Sequence, residues 1–502
     1  MRKNTGIFDT SLALADAVRR DSAELGERRN SQVTEAPVLV KCAGRRIPGC
    51  MRNRAGNVWI ALVLVACAGS AERLPPRDGA TPLPEARFVL GPMVGHVTDT
   101  SARIWAEVDR PGSLTVALTA EDGEVETGGT PIEGSRGGMA LLDVLGLEPS
   151  TRYRARFSLD GAPLAIDSPV EFRTFPLPGT PSRIRIALIS CARVPWDSIQ
   201  SAWLAVAAER PDAIVWLGDN GYLEHADSIR PADYASVQRI EFRYREIKAL
   251  PTVQPVLRTM ANYAIWDDRD YGDSDSDRTN PLRLDVAGIF ERYWANPSYG
   301  LEPGLDGIYG SFRIGDAEVF LLDDRFWRDP DTLPDAPSKT VLGTAQKGWL
   351  KEGLLASDAP LKVIAIGHQV LVDYHQWESY AMFAHERQEL LDWIRDRRIE
   401  GVVFVDGDRH LSELMRAEPA GLYPLYELTA SPIANRPFTT GLELPNPIRI
   451  GGYGAGDSYG ILDLDTTTPP GRLTILIKDA EGREVVRHEV LLDELQFRDE
   501  AR

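Results

Sequence analysis

The feature that most constrains this chain is a local pattern that recurs five times: a short apolar run, then a turn built from glycine and metal-binding side chains. Residues 184–189 lead into Ser190-Cys191, and residues 213–217 into Gly218-Asp219-Asn220-Gly221-Tyr222. Residues 263–266 lead into Asp267-Asp268-Arg269-Asp270. Residues 363–366 lead into Gly367-His368-Gln369, and residues 402–405 into Asp406-Gly407-Asp408-Arg409-His410. Unbroken apolar runs of this length read as strands buried on both faces, as in a parallel sheet. A helix expected at residues 197–208, with Asp197 as its N-cap, separates the first two runs and makes a βαβ unit. In open α/β sheets, sites form outside the carboxyl ends of the strands. Here those ends carry the chemistry.

Any one of these residues has a bland reading. An acid at a strand end is most often a turn residue or helix cap, and a lone cysteine on an apolar strand is core. Their coincidence at successive ends changes the odds. Carboxylates converging in one cleft repel one another unless cations neutralise them. Oxygen ligands suit magnesium, calcium, manganese or ferric iron, while histidine and cysteine favour a transition metal. A two-metal centre activates water and clamps an in-line phosphoryl transfer.

The chain has 502 residues, enough for about two to four domains. Its formal charge of −18 argues against stable nucleic-acid binding and against a generic anionic-membrane surface. The cysteines at 42, 50, 67 and 191 are too few for a disulfide scaffold. Residues 51–67 combine basic residues, a short apolar run and Leu64-Val65-Ala66-Cys67, which resembles a bacterial lipobox. The run is shorter than the ~20 residues that span a bilayer. It therefore reads as a lipoprotein signal, with Cys67 lipidated and holding a secreted chain at the membrane. Ala68-Gly69 favours the outer membrane over periplasmic retention at the inner one. Residues 1–50, upstream of a complete signal, read as a non-native extension from a misplaced start. Residues 68–82 read as a linker.

Residues 83–176 change texture. Segments 102–108, 114–118 and 153–157 alternate apolar with polar between turn residues, the pattern of a small antiparallel sandwich. The stretch 147–153 resembles the E–F corner of a fibronectin type III domain, anchored by Tyr153. No cluster of histidine, cysteine and acids lies there, so a spacer role is expected. After a second linker at 176–181 come further strands at 319–322, 426–428, 460–464 and 473–477, and amphipathic helices at 344–355 and 386–397. The fold class is therefore α/β, preceded by a small all-β sandwich.

From Arg183 to about Asp465 the chain resembles the PhoD-like alkaline phosphatases of the calcineurin-like metallophosphoesterase superfamily. The resemblance rests on Ser190-Cys191, Trp216–Tyr222, Trp266–Gly272, Leu321–Arg325, Leu342-Gly343 with Gln346 and Trp349-Leu350, Gly407–Leu414 and Tyr423–Ser431, in the family's order. It implies a four-layer metallophosphoesterase domain over residues 182–490 that hydrolyses phosphomonoesters or phosphodiesters by metal-activated water. It also implies two or more metal ions, iron with calcium, or manganese or zinc as elsewhere in the superfamily. Asp219 would be the shared ligand, and Cys191 and Tyr222 would hold ferric iron. Asp268, Asp408 and His410 would complete the shells, with Asn220 supporting the turn. Arg409 would bind the substrate phosphate or form a surface salt bridge. A monomer is expected.

One position departs from the family. Arg269 stands where relatives carry a histidine, and arginine cannot act as a general acid. It can bind a phosphoryl oxygen and stabilise developing charge. His368 is expected to substitute in part, as a hydrogen-bonding support or an acid, or else merely to pack beside the site. The rival reading is a lipid-anchored, non-catalytic binding protein that keeps the fold. Trp377, Glu378 and Tyr380 resemble a family lid segment. His225, His375 and His385 lack ligand spacing, and the acidic run 270–277 reads as a solvated turn or a calcium-leaning one.

Overall fold

The computed structural model describes residues 85–120, 123–132, 138–222, 237–373 and 377–498. The N-terminal extension, the signal with Cys67, the first linker, His225 and His375 lie outside the described residues.

The all-β region contains β1 (Phe88–Val97), β2 (Ser101–Val108), β3 (Gly112–Ala120), β4 (Gly123–Ile132), β5 (Gly138–Leu145), β6 (Arg152–Leu159), β7 (Ala162–Pro163) and β8 (Val170–Arg173). One sheet runs β1-β2-β5 and the other β4-β3-β6-β7, with β8 also on β6. Alternation puts Tyr153, Ala155 and Phe157 inside and leaves Arg152, Arg154 and Arg156 outside. The Tyr153 hydroxyl accepts from the Glu148 amide at 2.9 Å and ties down the corner before β6.

Two larger sheets follow. Their strands are β9 (Arg183–Ile189), β10 (Ala213–Leu217), β11 (Ala261–Ile265), β12 (Gly310–Ile314), β13 (Ala317–Leu321), β14 (Leu361–Ala365), β15 (Val402–Asp406), β16 (Ser412–Ala417), β17 (Leu425–Thr429), β18 (Arg449–Tyr453), β19 (Ser458–Asp465), β20 (Arg472–Asp479) and β21 (Glu484–Leu491). The helices are α1 (Ala202–Ala208), α2 (Val237–Ala249), α3 (Gln254–Thr259), α4 (Asp268–Tyr271), α5 (Arg283–Tyr293), α6 (Gly343–Ala356) and α7 (Ala384–Asp396). The first sheet runs β11-β10-β9-β19-β20-β21 and the second β12-β13-β14-β15-β17-β16-β18. β9, β10 and β11 are mutually parallel, as are β13, β14, β15 and β17.

The strands expected around the five turns all form, with ends shifted by a residue or two. The first expected helix is shorter. α1 begins at Ala202, and Asp197 is not its cap: its carboxylate accepts from the Ile199 amide at 2.8 Å, closing a local turn instead. Helices cover the outer faces. Trp203 of α1 lies 4.6 Å from Trp216 of β10, and Trp349 of α6 lies 6.0 Å from Phe320 of β13. The sheets meet closely at their carboxyl ends. A side chain on Gly407, after β15, would stand 2.6 Å from Ser190 Cβ and 2.8 Å from the Leu217 carbonyl of the other sheet.

α2 carries an unusual residue. Lys248 is fully buried, with Nζ 3.6 Å above the Trp294 ring and 3.2 Å from the Met93 sulfur. No carboxylate pairs with it among the described residues, and burial drives its pKa well below the ordinary lysine value. The unfolded chain thus binds a proton that the folded chain resists, so this residue's contribution to stability grows as pH rises toward the ordinary value of ~10.4. Lys248→Met should stabilise the fold at pH 7 by on the order of 1–3 kcal/mol. Guanidinium unfolding at pH 7 and pH 10 should show that gain shrinking at the higher pH, and an equal gain at both would contradict it.

Candidate metal centre

The turns that follow β9, β10 and β15 are sharp, and their backbone is strained at the residues that matter. Cys191, Asp219, Asp408 and His410 all take left-handed conformations, with φ of 60°, 57°, 61° and 52°. Each such residue costs about 1–2 kcal/mol relative to right-handed backbone. Outliers of this kind gather at functional sites. The turns brace one another: the Cys191 amide donates to Gly218 O at 3.2 Å and the Ala192 amide to Asp219 O at 3.0 Å. Gly218, at φ +95°, has no room for a side chain, which would stand 2.5 Å from Asp267 Cβ.

These turns bring ligand atoms together. One atom each from Cys191, Asp219 and His410 lies within 4.8 Å of the others, and so do atoms of Asp219, Asp267 and Asp268. Asp219 belongs to both groups. A third group, Asp268, Asp275 and Glu378, meets the same criterion. Tyr222 Oη is 2.9 Å from His410 Nε2, and Cys191 Sγ is 3.6 Å from Asp219 Oδ2. Asn435 Nδ2 lies 3.2 Å from the same His410 Nε2.

The electrostatics point the same way. Burial pushes the Cys191 thiol, the Asp219 carboxyl and the Tyr222 phenol well above their usual ranges, and Asp268 adds to the effect on Asp219. Burial raises Asp408 to about 7 against the pull of Arg409. Burial, then Arg269, lowers His410 to about 4, so its imidazole is neutral at physiological pH. Buried groups that resist ionisation are what a cation would stabilise in charged form. Asp267 Oδ2 is buried with no hydrogen bond, and the donor sets differ in kind. Sulfur, nitrogen and oxygen converge at Cys191–Asp219–His410 and suit a transition metal. Oxygen alone converges at Asp219–Asp267–Asp268 and suits a hard cation. The residues fit a metal pair.

The other expected residues fall as follows. Asp408 lies outside the three groups, although its carboxyl feels Asp268. Arg409 is buried, with its guanidinium 4.6 Å above the Trp377 ring. The Arg269 amide donates to Asp219 Oδ1 at 3.2 Å, and its guanidinium donates to Ser274 Oγ at 3.0 Å and sits 3.6 Å from Asp268 Oδ2. Asn220 braces the turn: its amide donates to Asp270 at 3.0 Å and its side chain to Ile265 O at 2.7 Å. His368 is fully buried, its Nδ1 2.7 Å from Asp324 Oδ2 and its ring edge-on to Tyr380. Burial lowers its pKa. That geometry offers a hydrogen-bonding role and no exposed surface from which to protonate a leaving group. His385 pairs with Asp335 at 2.7 Å in an exposed position.

Sequence reasoning did not select Asp267, Glu378 or Asn435 as ligands, reading Glu378 as part of a lid segment, and it read Asp275 only as part of a solvated or calcium-leaning acidic run. Asp267 had a visible signal, since it precedes Asp268 at the same strand end. Beneath the centre, Arg325 is fully buried, donating from Nε to Asp267 at 2.7 Å and from Nη1 and Nη2 to Glu378 at 2.8 Å each. Burial opposes ionisation of Glu378, yet Arg325 and Arg328 outweigh it and hold its pKa below the carboxylate range.

Two mixed sheets sandwiched between helices, with metal-type ligands at their carboxyl ends, define a metallophosphoesterase-like architecture. It is shared with a solved structure of PhoD, at a TM-score of 0.64 and 16% identity over 78% of this chain and 91% of that one. It is shared too with the purple acid phosphatase PPD1 from yellow lupin (Lupinus luteus) seeds, at a TM-score of 0.60 and 12% identity over 80% of this chain and 74% of that one. The PhoD-like phosphatase profile matches residues 186–448, just over half the chain, and a domain of unknown function (DUF7800) matches residues 85–176. The chain belongs to the PhoD-like phosphatase family. Alkaline phosphatase D of Bacillus subtilis (strain 168) is 23% identical over 355 residues, which are 62% of this chain and 58% of that protein. The match thus spans less than two thirds of that relative.

Proposed function

We propose that this chain hydrolyses phosphate esters, monoesters or diesters, at the centre built around Asp219. The observation that carries the reading is the place of Asp219 in two ligand groups at once, one mixed and one all-oxygen. Cys191, Asp219, Tyr222 and His410 would hold one ion, and Asp219, Asp267 and Asp268 the other, with Asp408 beside them. Iron with calcium is the pair favoured by family resemblance; manganese or zinc would suit the same donors. Metal ions there supply Lewis acidity and lower the pKa of water. Arg269 and Arg409 supply fixed positive charge to the phosphoryl oxygens, and neither can donate a proton at neutral pH. His368 keeps Asp324 oriented from behind. The rival reading, a binding protein without turnover, rests on Arg269 standing where relatives carry a histidine; the family match favours hydrolysis.

Secretion, lipidation at Cys67 and residence in the periplasm or at the outer membrane belong to the same proposal. So do a monomeric state and a fibronectin type III-like spacer. Mass analysis of the mature N-terminus tests the anchor.

Elemental analysis of protein purified without chelator should find two or more ions per chain. That protein should turn over p-nitrophenyl phosphate or bis-p-nitrophenyl phosphate. Metal-replete protein inert toward both esters would favour the binding-protein reading. Chelation should also lower thermal stability reversibly, since ions at a thousand times their Kd contribute about 4 kcal/mol. An unchanged melting curve after complete metal removal would contradict the proposed centre.

A further inference from the structure

The opposite end of the first sheet carries a feature that phosphoester hydrolysis does not use. There Arg152, Arg173, Arg183, Arg185 and Arg210 line a cleft of about 660 Å³, together with Glu171, Glu209 and Asp212. A smaller cleft of about 350 Å³ shares Arg152 and Glu171 with it and adds Arg154 and Arg156. The two together set seven arginines against three carboxylates, in a chain whose net charge is −18. Arg185 and Cys191 lie six residues apart along and just beyond β9, a span of about 20 Å for extended chain. The cleft is therefore separate from the metal centre.

Part of this charge is paired internally, Arg154 with Glu171, Arg185 with Glu209 and Asp463, Arg183 with Asp463 and Asp465, and Arg173 with Asp212; three observations concern what remains. First, the acids are already engaged. Glu171 accepts from Arg154 at 2.6 Å, Glu209 pairs with Arg185 at 3.2 Å and with Lys478, and Asp212 accepts from the Arg185 amide at 2.9 Å. Among the described residues, the side chains of Arg152, Arg156 and Arg210 have no hydrogen-bond or ion-pair partner. Second, Arg152 stands directly opposite Arg173 in the β6–β8 register, and like charges so placed destabilise a strand pair. Third, Arg210 takes a left-handed φ of 49° just after α1, where glycine is the easier residue. An arginine is thus held at a position that disfavours it.

We infer that this cleft binds a compact polyanion bearing several phosphate groups. Planar guanidinium forks match phosphate oxygens bidentately, and every cationic residue lining the clefts is arginine rather than lysine. The volume suits a small molecule, for which pockets run from ~300 to 1,000 Å³. The inference does not depend on the chain being a phosphatase.

The test is isothermal titration of the full chain with inorganic tripolyphosphate. Asp219→Asn separates the cleft from the metal centre and should leave binding intact. Arg152→Ala combined with Arg210→Ala should weaken binding about tenfold or more. These exposed arginines lie far from the metal centre, so kcat/KM for p-nitrophenyl phosphate should stay within about twofold, and the melting temperature should not fall. Arg152→Lys combined with Arg210→Lys should retain part of the affinity. The inference fails if tripolyphosphate does not bind, if the double alanine variant binds as tightly as the parent, or if Asp219→Asn alone abolishes binding. It also fails if the chain binds anionic phospholipid vesicles but not tripolyphosphate, which would make this face a membrane contact.

Discussion

Asp219→Asn is expected to lower kcat/KM for phosphate esters by about a thousandfold or more, equivalent to roughly 4 kcal/mol of barrier. Asparagine is the informative replacement. It tolerates the left-handed backbone that Asp219 adopts at φ 57°, so the turn survives while the charge is lost. Because Asp219 serves both the Cys191–His410 group and the Asp267–Asp268 group, elemental analysis should show both ions depleted. Asp268→Asn should deplete the all-oxygen side preferentially. Retention of activity within about tenfold of the parent in Asp219→Asn would end the case for a shared ligand.

The second large effect is on folding. Arg325→Met should destabilise the chain by about 3–5 kcal/mol, because it leaves buried carboxylates without their counter-charge. Arg325 and Asp267 are fully buried, and Glu378 nearly so. The loss should appear as a lower guanidinium midpoint. Adding Glu378→Gln to Arg325→Met should recover part of it, since one uncompensated charge is then gone. A single-variant loss below about 1 kcal/mol in the metal-free chain would show that water already reaches Asp267.

The strand ends were legible because buried parallel strands spell themselves out as apolar runs, and the turns after them hold the chemically distinctive residues. α2 was not legible because its inward face is partly polar: Arg243 and Lys248 are buried there, so the usual apolar stripe is interrupted. β21 was missed for the opposite reason. It is a mostly exposed edge strand with charged residues along it, which blunt the edge and mask its periodicity. Within the centre, Asp219, Asp268, Asp408 and His410 could be chosen from local context, while the metal roles of Cys191 and Tyr222 came from the family resemblance. Asp275, Glu378 and Asn435 could not, because each comes from a loop with no periodic signal, and their convergence is a tertiary fact. The burial of Arg409 under Trp377 belongs to the same class.

The order of strands in the first sheet has a consequence for how the chain is made. β9, which delivers Cys191, is hydrogen-bonded on one side to β10 and on the other to β19, with Leu188 opposite Gly460. A ribosome therefore completes the strands bearing Cys191, Asp219 and His410 well before it synthesises the segment that closes the sheet beside β9. Until then β9 is an open edge, with its backbone unpaired on one side. The centre cannot be finished progressively from the N-terminus. Its assembly waits on the last tenth of the chain, and a product truncated before Ser458 would present the Cys191 strand as a free edge for other chains to join.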